Sequence, residues 1–278
     1  MNPINRREFV GDVSRGMLIA GLGTAAAAEL GLDSAWAGEE KPVRFGADEA
    51  LVSLLQETTP EKILPTVVGK LRSGTTLKQI TAASVLANAR AFGGEDYIGF
   101  HTLMALGPSL EMARELQGED AALPVLKVVY RNSSNLHNTG GCAHSALQMI
   151  DPAGLPAAAS DPTAIREVTR KKDKNAAENL LASAAKESPE KAYEQLLYEV
   201  QDDVDVHRTV LAFRAWELLD LVGRSRAEAL LRQSVRYCVQ AEVKNYGRGN
   251  QEVRTLIPKL IEQNKLCLLY TSPSPRDS

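Results

Sequence analysis

Glu57-Thr58-Thr59-Pro60-Glu61-Lys62 recurs further along the chain as Lys186-Glu187-Ser188-Pro189-Glu190-Lys191. Each copy sets a hydroxyl residue, then proline, then an acid. The hydroxyl suits an N-cap, proline's fixed φ suits the first helical position, and the carboxylate suits the positive end of the helix dipole. Both copies therefore read as helix starts. Downstream, Asp96-x4-His101-x9-Glu111 returns as Asp202-x4-His207-x9-Glu217. With a one-residue slip, Ala122-Leu123 then matches Ala229-Leu230, Val128-x-Tyr130 matches Val235-x-Tyr237, Asn138 matches Asn245 and Gly140 matches Gly247. The offset between copies is larger at the first motif because the first copy holds an extra helix, 76–92.

From 48 to 266 apolar residues recur at three- and four-residue spacing, and no alternating pattern of a strand interrupts them. The fold class is all-α. The spacing predicts helices over 48–57, 60–72, 76–92, 97–116, 119–134, 142–150, 162–168, 173–186, 189–200, 203–222, 225–243 and 250–263. Breakers separate them, notably Gly93-Gly94, Gly140-Gly141, Asp151-Pro152 and Gly247-Arg248-Gly249. A solenoid stacks several equal repeats. Two unequal copies, 48–141 and 176–248, instead fit a duplicated multi-helix domain with a pseudo-two-fold internal repeat. Such a domain brings equivalent positions to a shared central cavity.

Composition narrows the function classes. The 278 residues hold 32 Lys and Arg against 35 Asp and Glu, a net charge of -3, so no excess of cations is present to neutralise a phosphate backbone. No nucleic-acid partner is expected. The three cysteines form neither C-x-x-C nor C-x-x-C-H, which excludes a disulfide framework, a cysteine-rich zinc site and attached c-type haem. No G-x-S-x-G and no G-x-G-x-x-G after a strand is present, so a nucleophile elbow and a Rossmann site are also excluded.

The two ends stand apart from the helical domain, 38–266. Asn5-Arg6-Arg7-Glu8-Phe9-Val10, the apolar run 17–28 and the small-residue pattern Ala35-Trp36-Ala37 resemble a twin-arginine signal peptide over 1–37. The resemblance implies cleavage after Ala37, a partnership with the twin-arginine export machinery and a periplasmic or otherwise extracytoplasmic mature chain with no membrane span. That route carries folded proteins, often with a cofactor. At the other end, 267–278 breaks the helical pattern and reads as a non-native read-through tail, with the native chain continuing differently beyond about 266. Cys142 and Cys238 are then the native thiols, either paired in an oxidising compartment or buried and free.

The candidate catalytic residues come from the duplication. His101 and His207 are equivalent positions near helix starts, and imidazole is the side chain best placed to exchange a proton near neutral pH. Glu111 and Glu217 lie ten residues beyond, about 15 Å along a helix, so each is out of reach of its own histidine. Antiparallel packing of the copies would pair His101 with Glu217 and His207 with Glu111. His137, Asn138 and His144 flank the glycine loop 139–143 and are candidates for binding a cofactor at a pocket mouth. Cys142 beside His144 is a lesser candidate nucleophile pair. Glu-x-x-His ligand pairs on two helices, which a di-iron bundle needs, are absent.

Phe100-His101-Thr102-Leu103-Met104-Ala105-Leu106-Gly107-Pro108-Ser109-Leu110-Glu111 resembles the F-H-x-L-I-H-L-G-x-x-L-E motif of the questin oxidase-like family. His101, Leu103, Leu106, Gly107, Leu110 and Glu111 match it, and Ala105 stands at its second histidine. The resemblance implies an all-helical oxidoreductase acting on an aromatic or quinone-like small molecule in a His-lined pocket, with reduced nicotinamide as the family's electron donor. Two other readings stand beside it. A non-catalytic helical interaction module predicts that His101 and His207 are apart or separately capped. A His-ligated metal- or haem-binding protein predicts that their rings are adjacent. Substrate, metal and cofactor identity are left open by the residues.

Overall fold

The computed structural model describes residues 41–151, 154–244 and 252–266. The expected signal peptide, the repeat positions Asn245 and Gly247 with their glycine turn, and the tail 267–278 lie outside them. Among the described residues eleven α-helices follow in order: α1 Glu49–Glu57, α2 Pro60–Arg72, α3 Leu77–Phe92, α4 Tyr97–Glu115, α5 Leu123–Asn138, α6 Ala164–Arg170, α7 Lys174–Glu187, α8 Pro189–Val200, α9 Val206–Val222, α10 Ala227–Lys244 and α11 Val253–Gln263. They contain no strand, only an isolated bridge between Pro42 and Gln148. The all-α expectation holds. No described helix is long and apolar enough to cross a membrane.

The repeated helix starts behave as their chemistry demands. Pro60 and Pro189 open α2 and α8, and the Lys191 amide donates to the Ser188 hydroxyl at 3.0 Å. Thr59 is extended ahead of α2, but its hydroxyl makes no capping bond. Glycine at 93 ends α3 in the left-handed region, where a residue without Cβ meets no steric penalty.

Helices α3 and α10 form the centre. From Ile80 to Phe92, α3 is buried on nearly every side, as is α10 from Ala227 to Val239. A helix surrounded by others has no single apolar face, so burial here takes in polar groups that must find partners. Asn88 donates to Asn132 Oδ1 at 2.7 Å and to the Gly99 carbonyl at 2.8 Å, and Thr102 donates to Asn132 at 2.9 Å. These bonds join α3, α4 and α5. Arg236 of α10 meets Glu178 of α7 and Glu95 of the α3–α4 turn, each at 2.8 Å, joining the two sequence copies.

Two sequence expectations are corrected. The segment 142–150 is not a helix: after a short 3-10 turn at 141–143 it runs extended. Gly140 and Gly141 both have positive φ, and the amides of Ala146 and Leu147 donate to the Ala91 and Arg90 carbonyls. The segment thus satisfies the last-turn carbonyls of α3, which α3 itself cannot. The copies also start their histidine helices differently. Asp96 caps α4, accepting from the Gly99 amide at 2.6 Å. Its counterpart Asp202 is instead paired with Arg170 at 2.5 Å, and Asp205 caps α9. His101 is therefore the fifth residue of its helix and His207 the second.

Candidate functional site

Helices α4 and α9 lie side by side and run in the same direction. Near their N-terminal ends His101 and His207 come together, with ring centroids 5.6 Å apart and planes at 76°. Phe100 stacks on His101 at 4.4 Å and meets His207 edge-on at 5.0 Å; Tyr97 lies 4.5 Å from His101 and meets Phe100 edge-on at 5.3 Å. Phe100 is buried while His101 is exposed, and the His207 side chain is 32% exposed. The cluster opens to solvent, where the sequence suggested an enclosed central cavity.

Both imidazoles are pinned through Nδ1. His101 Nδ1 lies 2.7 Å from the Tyr97 carbonyl, and His207 Nδ1 lies 3.0 Å from Asp205 Oδ1. A carbonyl and a carboxylate only accept, so in the neutral rings Nδ1 is assigned the proton and Nε2 keeps its lone pair. Asp205 is held in turn. Its Oδ2 accepts from the Tyr237 hydroxyl at 2.7 Å, and its Oδ1 also accepts from the His207 amide at 3.0 Å. Burial works to raise the Asp205 carboxyl, but the bonds from Tyr237 and His207 outweigh it and hold the group below the usual carboxylate range.

Glu111 and Glu217 do not join the histidines. Parallel packing places like with like, so both carboxylates line one cleft of about 280 Å³ at the far end of the α4–α9 pair. Each is paired with an arginine of its own helix, Glu111 with Arg114 at 2.6 Å and Glu217 with Arg214. The expected His101–Glu217 and His207–Glu111 pairs, which required antiparallel packing, are absent among the described contacts.

The glycine-loop residues form a separate region. His137 and Asn138 end α5 and His144 follows the 3-10 turn, with no ring contact or hydrogen bond among the described residues to the His101–His207 cluster. The Cys142 amide donates to Glu57 Oε1 at 2.6 Å, which fixes the loop on α1. Burial, with the adjacent Glu57 carboxylate, pushes the Cys142 thiol up to about 11, so it is not a thiolate at neutral pH. Cys238 is buried and its thiol is also raised, chiefly by burial. Both thiols are free, and no pairing joins them.

Sequence spacing missed Asp205, Tyr237 and Phe100. Asp205-x-His207 was a readable signal, an acid two residues before a helix-start histidine. Tyr237 was visible only as a repeat match.

Next to the start of the His207 helix runs a chain of charge, part-buried and part-exposed: Arg170–Asp202–Arg254–Glu242–Arg208. Against it sits Glu199, fully buried, with Oε1 accepting from Thr169 at 2.5 Å and Oε2 unpartnered. Burial, opposed by Thr169 and Arg208, pushes the Glu199 carboxyl up to about 8 from an ordinary 4.5. The folded state therefore holds a proton there that the unfolded chain gives up, so this group's contribution to stability falls as pH rises from 4.5 to about 8. Urea midpoints should decline over that window, and Glu199→Gln, which mimics the protonated acid, should flatten the decline. An unchanged slope in the variant would assign it elsewhere.

No protein-family model matches the chain, and no curated protein or solved structure is significantly similar to it.

Proposed function

We propose that the His101–His207 cluster is a proton-exchange centre for a flat, hydroxylated aromatic or quinone-like small molecule, working outside the cytoplasm after export. The observation that carries this reading is the paired imidazoles themselves. Two imidazoles stand with centroids 5.6 Å apart, each held through Nδ1 so that Nε2 keeps its lone pair, beside the Phe100 and Tyr97 rings. Aromatic rings favour stacked or edge-on partners of the same kind, so the exposed Tyr97 ring gives a flat ligand a surface to lie on. One Nε2 takes the proton of a phenolic or enolic hydroxyl: the O–H bond breaks and an Nε2–H bond forms. Asp205 steadies the imidazolium that results. The likeness of 100–111 to the questin oxidase-like motif and the export leader support the substrate class and the compartment. The adjacency of the rings supports this reading over a plain interaction module with histidines apart, while their separate Nδ1 caps fit either one.

A hydroxyanthraquinone, whose phenol and phenolate absorb at different wavelengths, tests the proposal. Wild-type protein is expected to bind it and shift it toward the phenolate. Asp205→Asn removes the charge behind His207 and is expected to weaken binding by roughly tenfold. A double His101→Gln, His207→Gln variant that is folded by circular dichroism yet still shifts the dye would overturn the reading.

A further inference from the structure

We infer that His101 and His207 together take one divalent transition-metal ion through their Nε2 atoms. The inference goes beyond proton exchange and describes the cluster with no aromatic ligand bound, since an Nε2 that holds a metal has no lone pair for a proton. It rests on the same cluster being the working site, but not on an aromatic substrate.

Three observations converge on it. The first is the lone pairs, since Nδ1 of each ring is committed to an acceptor and Nε2 of each is left as a donor to a metal. The second is spacing. With metal–nitrogen bonds of about 2.0–2.1 Å and roughly 1 Å from each nitrogen to its ring centre, two imidazoles at a tetrahedral or wider angle have centroids about 5–6 Å apart. The observed separation is 5.6 Å. The third is the outer layer of bonds. Metal-binding histidines characteristically donate their other ring N–H to a carboxylate or backbone carbonyl, which fixes the tautomer and raises ligand basicity. His207 has the carboxylate, and His101 has the carbonyl.

The ligand count follows from the surroundings. Among the described residues no three His, Cys, Asp or Glu side chains gather as a metal site, and the two Asp205 oxygens are engaged by His207 and Tyr237. The protein supplies two nitrogens, and the solvent side leaves the other positions to water or a ligand. Imidazole suits copper, nickel and zinc, and a site without a rigid cage follows the general order, with Cu²⁺ tightest.

The test uses the full folded chain, stripped with a chelator and titrated with Cu²⁺, then Ni²⁺ and Zn²⁺, with no aromatic compound present. The expected result is one ion per chain with nitrogen coordination in the Cu²⁺ electron paramagnetic resonance spectrum. His101→Ala, an exposed position, is expected to lower affinity at least tenfold. Asp205→Asn keeps both ligands and should lower it by about 10–100-fold. Absence of stoichiometric binding, or binding unchanged in both variants and lost instead with His137 and His144, would overturn the inference. Failure here with dye binding intact leaves the proton-exchange reading standing, and metal binding without dye binding does the reverse.

Discussion

Gly94→Ala is expected to destabilise the domain by about 2–6 kcal/mol, combining backbone strain with steric overlap. Gly94 has φ +80, and a methyl group there would lie 2.2 Å from the Gln233 carbonyl oxygen of α10. That atom belongs to a helix backbone and cannot rotate away. Domains of this kind have about 5–15 kcal/mol in hand, so much of the variant's stability is lost. Gly118→Ala is the control: φ is +60, but nothing lies within 4 Å, so only the left-handed strain of about 1–2 kcal/mol is expected. The difference between the two urea midpoints measures the contact of the α3–α4 turn with α10. Equal shifts would show that the turn is not pressed on that helix. Gly94 also precedes Asp96, the cap that sets the start of α4, so loss of the turn should loosen His101 as well.

The same turn shows what could be read from the chain before its structure. Gly93-Gly94 was legible as a break because glycine ends helices, but its pressure against Gln233 was not, since that contact joins residues far apart in sequence. Pro60 and Pro189 announced α2 and α8 through a local rule that tertiary packing did not need to override. The adjacency of His101 and His207 was foreshadowed by their matching Asp-x4-His-x9-Glu spacing. The direction of packing was not, because ten-residue spacing fits parallel and antiparallel helices equally. Hence the His101–Glu217 and His207–Glu111 pairs, which antiparallel packing would have formed, are not made, and each carboxylate meets an arginine of its own helix. Asp202 and Asp205 were equally good caps by type; Arg170 and Arg254 claim Asp202, and only the fold decides that. The expected helix over 142–150 failed for a related reason. Its apolar residues had helical spacing, but its amides serve the end of α3. Arg208, Arg232 and Arg236 are buried on α9 and α10, which residue type alone does not announce.

Arg208→Met is expected to cost about 2–3 kcal/mol, below the ~3–5 kcal/mol of a fully stranded buried charge because Glu242 keeps Arg254. Arg208 is 1% exposed and holds Glu242 at 2.6 Å, with Asp203 at 3.9 Å. Methionine fills much of the same volume, so the loss comes from charge rather than from a cavity. Adding Glu242→Leu should recover a good part of it, because an apolar pair avoids the desolvation that the ion pair must offset. Arg254 keeps Asp202 in that double variant. A second signature separates this account from general loosening. Arg208 is among the groups that lower the Glu199 carboxyl, so its removal should carry the Glu199 titration above about 8 and extend the pH range over which stability declines. Denaturation midpoints across pH for the single and double variants read both effects. A single variant with wild-type stability would mean that the pair contributes nothing, and a decline still ending near 8 would detach Arg208 from Glu199. Because Arg208 follows His207 in the first turn of α9, the double variant also reports on the site. Recovery of stability without recovery of the His207–Asp205 geometry would assign Arg208 a positioning role of its own, holding the turn on which the imidazole stands.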